Sequence, residues 1–245
     1  RGHDALQVLD TALSNGGESA SLKRELSHVL REQGEFEQAL EHARSAVNAD
    51  PTPASESELA TTVMAAGADY HEAQALLTSL VERFPVDQGL WALYATALRY
   101  TENASAYRSL VDYDTMIQVR KITCQQDYAT LEDFLDVIRQ SLLSLHITKQ
   151  HPVEQSMLHG TQTLDDLFSR REPAIQQLRT ALSEQLTSLI TALPKQTDHP
   201  LYGRNTGGFS FSNSWSVRLW RDGFHKNHFH SQGWLSSAFY LTVPP

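Results

Sequence analysis

A period of 34 residues constrains this chain more than any other feature, because self-similarity at that length means one supersecondary unit stacked several times. When "ELSHVLREQGEFEQALEHARSAVNADP" (Glu25–Pro51) is set above "LATTVMAAGADYHEAQALLTSLVERFP" (Leu59–Pro85), Pro51 aligns with Pro85, Ala39 with Ala73, Ala43 with Leu77 and Ala46 with Leu80. One step on, Trp91, Tyr94, Ala95 and Leu98 begin a third unit, and one step back Ala5, Leu9 and Ala12 fit the tail of an earlier one. Small residues let two antiparallel helices approach. Gly34 or Gly67 turns the chain between them, and the proline ends the second helix.

This pattern resembles the tetratricopeptide repeat over about residues 1–100. The resemblance implies an α-α repeat solenoid whose surface takes a protein or peptide partner and performs no chemistry itself.

Charge and composition narrow the remaining classes. The formal net charge of -9 argues against nucleic-acid binding, which needs a clustered basic surface. One cysteine, Cys124, rules out a disulfide framework and a thiolate metal cluster within the chain, so a reducing compartment is expected. No run of about 18 apolar residues is present and the opening "RGHDALQVLD" lacks the core of a signal peptide, so the expectation is a soluble, cytoplasmic protein with no membrane partner. Residues 1–100 carry 7 Lys/Arg against 15 Asp/Glu, whereas residues 201–245 carry 4 against 1. The same last segment holds three of the four tryptophans, and the change marks a second kind of domain.

The middle of the chain is helical but out of phase with the repeat. "YDTMIQVRKIT" (Tyr113–Thr123) has the β-branched content of a strand entering a new domain. "TLEDFLDVIRQSLLSLH" (Thr130–His146) places Leu131, Phe134, Leu135, Ile138, Leu142 and Leu145 on one helical face, with Thr130 and Asp133 as a capping pair. A second helix runs from Pro173 through Ile175, Leu178, Leu182, Leu186, Leu189 and Leu193 to Pro194. Between these helices, "HPVEQSMLHGTQTLDDLF" (His151–Phe168) has the polar, interrupted pattern of a capped loop.

From Leu201 the period shortens to two. "SWSVRLW" (Ser214–Trp220) and "WLSSAFYLTVP" (Trp234–Pro244) are both expected to be strands. Between them lies "GFHKNHFHSQGW" (Gly223–Trp234), with three histidines in six positions. At strand spacing His228 and His230 point to one face and can converge on one ion, whereas His225 is out of register with them. Spacing alone leaves a metal pair and two ordinary polar residues both open, and it does not choose among iron, zinc, copper and nickel. No Gly-x-Ser-x-Gly elbow is present, and "RNTGGF" (Arg204–Phe209) lacks the lysine and spacing of a phosphate-binding loop.

Taken together, "HGTQT" (His159–Thr163), "HPLYGR" (His199–Arg204), "SWSVRLW" and above all "GFHKNHFHSQGWLSSAFYLTVP" (Gly223–Pro244) resemble the 2-oxoglutarate- and iron(II)-dependent oxygenases that follow tetratricopeptide repeats in bacterial proteins. The likeness spans roughly Met116 to Pro245. It implies a double-stranded β-helix, or jelly roll, and a dioxygenase of the hydroxylase type using Fe(II) and 2-oxoglutarate. His228 and His230 match the family's first metal-ligand pair, although the second position is usually a carboxylate. Tyr240 is placed to donate a hydrogen bond to a 2-oxoglutarate carboxylate, or else to pack into the barrel.

The expected fold class is therefore α+β. Helical repeats occupy residues 1–105, and the first part of an oxygenase-like domain occupies residues 106–245, with helices over 130–193 and strands from about 209. The resemblance stops at Pro245 before the family's distal histidine and its basic 2-oxoglutarate residue, so the chain is expected to be a piece of a longer protein. Two other readings stay open: a repeat-based interaction protein with a degenerate, non-catalytic jelly roll, and a β-domain that binds a small molecule without redox chemistry.

Overall fold

The computed structural model describes residues 2–14, 19–147, 156–230 and 233–243. The chain divides into two compact units, Arg1–Asp112 and Tyr113–Pro245. Among the described residues the fold is mostly helical with one small sheet, consistent with an α+β class.

The first unit is built of helices α1 (Gly2–Ser14), α2 (Ala20–Gln33), α3 (Phe36–Ala49), α4 (Pro53–Ala65), α5 (Tyr70–Arg83), α6 (Gln88–Tyr100) and α7 (Ala104–Leu110). Side-chain oxygens mark several of the starts: Ser19 accepts from the Leu22 N–H, Asp69 from His71 and Glu72, and Asp87 from Gly89 and Leu90. Thr52 and Ser55 form a reciprocal capping box before α4. Gly34 and Gly67 carry positive φ values of 84° and 64° and turn α2 into α3 and α4 into α5.

Each helix packs on the next, so the positions that share the 34-residue period become the core. Ala39 and Ala73, Ala43 and Leu77, Ala46 and Leu80 are all fully buried. Alanine at these places permits close helix approach, whereas leucine at the two matching positions of the next unit occupies more of the interior. One polar knot interrupts this apolar interior. Glu58, with 12 % of its side chain exposed, accepts from the Ser27 and Thr62 hydroxyls at 3.1 and 3.0 Å and from Arg31 Nε at 3.2 Å.

The second unit contains a four-residue helix α8 (Tyr113–Met116), α9 (Leu131–Leu145), strand β1 (Met157–Gln162), a 3₁₀ turn at Leu167–Ser169, α10 (Pro173–Ala192), a second 3₁₀ turn at Tyr202–Arg204 and strand β2 (Val217–His225). Phe134 and Ile138 of α9 meet Ile175, Leu178 and Ala181 of α10 in a core closed by Leu167 and Phe168. The Thr130–Asp133 capping box at the head of α9 is formed as the sequence implies.

Three expected elements are corrected. Tyr113–Thr123 is not a strand: it begins as α8 and continues without regular structure, with Val119 95 % exposed, because its β-branched residues find no partner strand. The segment expected to be a loop, His151–Phe168, contains β1. Within Trp234–Pro244, the described residues 234–243 form no strand; Phe239 and Leu241 instead pack on the helical core.

β1 and β2 pair antiparallel, with Met157 opposite His225, Leu158 opposite Phe224 and Gly160 opposite Leu219. His159 thus faces four residues of β2, Trp220–Gly223, and adopts a left-handed φ of 55°. Two glycines make the contact possible. A Cβ on Gly223 would lie 2.4 Å from the His159 carbonyl oxygen, and one on Gly160 2.6 Å from that of Arg218.

Candidate metal centre

His225 is the last residue of β2, and the chain leaves the ladder directly into Lys226, so the strand end fixes where the three histidines begin. Ser156 immediately precedes β1, and the Met157–His225 register brings it to the same end of the sheet. Its backbone carbonyl accepts from the Lys226 N–H at 2.8 Å, and its hydroxyl lies 3.0 Å from His225 Nδ1 and 3.5 Å from His228 Nε2.

His228 is oriented from its other nitrogen. Nδ1 lies 2.8 Å from the Lys226 carbonyl oxygen, which only accepts, so Nδ1 carries the proton and Nε2 presents a lone pair. That is the tautomer a metal-binding imidazole needs, held by the kind of backbone contact that orients such ligands. One proton arrangement then accounts for both Ser156 contacts: His225 Nδ1–H donates to Ser156, and the Ser156 hydroxyl donates to His228 Nε2.

The His228 and His230 rings have centroids 5.0 Å apart at 85°. Two imidazoles on one ion, with metal–nitrogen bonds of about 2.1 Å, bring their centroids to roughly 4.5–5.5 Å. The His225 ring is 5.7 Å from that of His228. Burial and then the neighbouring His228 and His230 hold the His225 imidazole below its ordinary pKa, which favours the neutral, lone-pair form. All three histidines are exposed, and the Trp215 ring lies 5.7 Å from that of His230.

The ring spacing of His228 and His230 is compatible with a shared ion. Among the described residues, no group of three His, Cys, Asp or Glu side chains is arranged to hold a metal. Tyr240 is 77 % exposed, and Phe229, between the two histidines in sequence, is 53 % exposed. Sequence reasoning missed Ser156, because only the register of two strands far apart in sequence brings it to the histidines.

A second contact fixes the sheet beneath this site. His146, just past α9, bonds Thr161 Oγ1 of β1 through Nδ1 at 2.8 Å and Ser216 Oγ, at the head of β2, through Nε2 at 3.0 Å. Burial, and then Arg218, push its pKa down.

No helix among the described residues is long and apolar enough to cross a membrane. No curated protein matches the chain. Residues 213–245, which include β2 and all three clustered histidines, match the family described as "Putative 2OG-Fe(II) oxygenase".

Proposed function

We propose that the chain carries part of the iron site of a 2-oxoglutarate- and Fe(II)-dependent hydroxylase, with His228 and His230 as two of the ligands. The family match over residues 213–245 carries this reading, and the tautomer held at His228 supports it. Iron with 2-oxoglutarate supplies oxidising power for hydroxylation of a C–H bond. The chain's own residues perform the simpler tasks. Lys226 aims His228 Nε2, Ser156 keeps that nitrogen hydrogen-bonded, and the neutral His225 adds no positive charge beside an incoming cation. Tyr240 offers a phenol to a 2-oxoglutarate carboxylate.

In this proposal the repeat unit recruits a protein or peptide. An open hollow of about 280 Å³ lies between α2 and α4, lined by Arg24, His28, Ser57, Glu58 and Thr61 among others. The histidine at position 230, where the resembled family usually has a carboxylate, supports a second reading, a non-catalytic interaction protein with a degenerate β-domain.

Anaerobic Fe(II) titration followed by aerobic measurement of succinate release separates the two. Iron binding and turnover lost in both His228→Ala and His230→Ala support the hydroxylase; unchanged iron binding in both variants returns the histidines to loop chemistry.

A further inference from the structure

His146 stands one residue past the end of α9 and joins that end to both strands of the sheet. Its Nδ1 lies 2.8 Å from Thr161 Oγ1 of β1, and its Nε2 lies 3.0 Å from the Oγ of Ser216, one residue before β2.

The burial of Thr161 fixes how the protons lie. The residue is fully buried, and among the described residues its hydroxyl meets no partner but His146. A buried hydroxyl proton is costly to leave unbonded, so Thr161 donates to Nδ1. Nδ1 is then the accepting nitrogen, and Nε2–H donates to Ser216 Oγ. This neutral tautomer satisfies both ring nitrogens.

An imidazolium does not fit the same place. With both nitrogens donating, the Thr161 hydroxyl has to turn round and accept, and its own proton is left in the interior without an acceptor. A positive charge on the ring also stands near Arg218, the ladder partner of Thr161. The strands that the ring touches carry His159, Arg218, Arg221, Asp222 and His225, and of these Arg218 is the group that acts on it. No carboxylate of α9 or α10 offsets that repulsion.

We propose that His146 is an acid-released latch, closed while its ring is neutral, whose protonation frees the end of α9 from β1 and β2. The latch is closed above about pH 6.5, the ordinary histidine value, and opens as pH falls below it. At its other end the sheet leads to Ser156 and His225, so mild acid weakens the frame on which the clustered histidines stand. The latch is made of hydrogen bonds alone and needs neither iron nor the hydroxylase reading.

The test uses the full chain, stripped of metal by a chelator, and compares wild type, His146→Gln and Thr161→Val at pH 7.5 and 5.0. Amide hydrogen exchange is corrected for the chemical rate at each pH. In wild type, β1 and the last turn of α9 are expected to lose protection by about 10-fold at the lower pH. His146→Gln is expected to keep it, because its amide both accepts and donates but takes up no proton. Nitrogen NMR is expected to find the His146 proton on Nε2 at pH 7.5. The titration midpoint of that ring is expected to rise by roughly 0.5–1 unit in Thr161→Val, where the contact that opposes protonation is gone. If His146→Gln fails to fold, the Thr161→Val midpoint decides. Unchanged wild-type protection at pH 5.0, an equal loss in His146→Gln, or an unmoved midpoint in folded Thr161→Val overturns the latch. Because metal is absent throughout, failure here leaves the hydroxylase reading untouched, and failure of the histidine variants to lose iron leaves the latch untouched.

Discussion

The Lys226 carbonyl oxygen lies 2.8 Å from Nδ1 of His228 and so decides which nitrogen of that ring is free. A backbone contact two residues away does what a buried carboxylate does in many metal sites, and it does so in an exposed segment.

Tryptophan emission is expected to report metal binding directly. Trp215 stands 5.7 Å from the His230 ring, so a paramagnetic ion at His228 and His230 quenches it. Co(II) titration followed by fluorescence is expected to show saturable quenching in wild type, none in Trp215→Phe, and an affinity loss of ~10- to 100-fold in His228→Ala and His230→Ala. Quenching that survives both histidine variants places the ion elsewhere.

Ser156 is expected to compete with the metal for His228 Nε2, which its hydroxyl approaches at 3.5 Å. Removing that hydroxyl in Ser156→Ala frees the lone pair, so Co(II) affinity is expected to rise modestly, by about 2- to 5-fold for a weak hydrogen bond of roughly 0.5–1 kcal/mol. Weaker binding in Ser156→Ala would instead make the serine part of the support.

His146 gives the second unit a pH dependence. Its folded-state pKa is lowered by burial, so the unfolded chain takes up a proton first as pH falls. The stability it contributes is complete above the ordinary histidine range, about 6.5, and is lost as pH drops through that value toward the lower folded one. Thermal melting between pH 7.5 and 5.5 is expected to fall less steeply in His146→Gln than in wild type. An identical slope in the two proteins refutes the assignment.

Glu58 is expected to be the costliest polar residue to remove from the first unit. Glu58→Ala leaves Ser27 and Thr62, both fully buried, without their shared acceptor and leaves Arg31 without its buried partner. The expected loss is about 2–3 kcal/mol by denaturant unfolding, with a coupling of roughly 1 kcal/mol between Glu58→Ala and Arg31→Ala in a double-mutant cycle.

These residues also show what a sequence can and cannot disclose. The helices of the first unit were legible because burial repeats with the period: Ala39 and Ala73 do the same job 34 residues apart. β1 was not legible because His159 breaks its alternation. Met157, Gly160 and Thr161 are the buried positions, a spacing that matches no regular strand pattern. Tyr113–Thr123 misled in the opposite sense, since strand-forming residues specify a strand only where a neighbour offers hydrogen bonds. At the site, the strand spacing expected of His228 and His230 is not what brings their rings together, because β2 ends at His225 and both lie in the irregular segment beyond it. Ser156 could not be read at all, because only the register of two strands far apart in sequence brings it to the histidines.

The mismatch opposite His159 bears on how such a protein changes over time. On either side of it the ladder keeps its own register, Met157 with His225 at one end and Gln162 with Val217 at the other. Of the four residues Trp220–Gly223 between them, Gly223 is held against the His159 carbonyl, whereas Trp220, Arg221 and Asp222 carry no ladder pairing, so a change of length among these three alters the rim beside the histidines while both flanking ladders stay aligned. A lineage carrying this sheet has one place where length can vary with little disturbance, and it adjoins the chemistry.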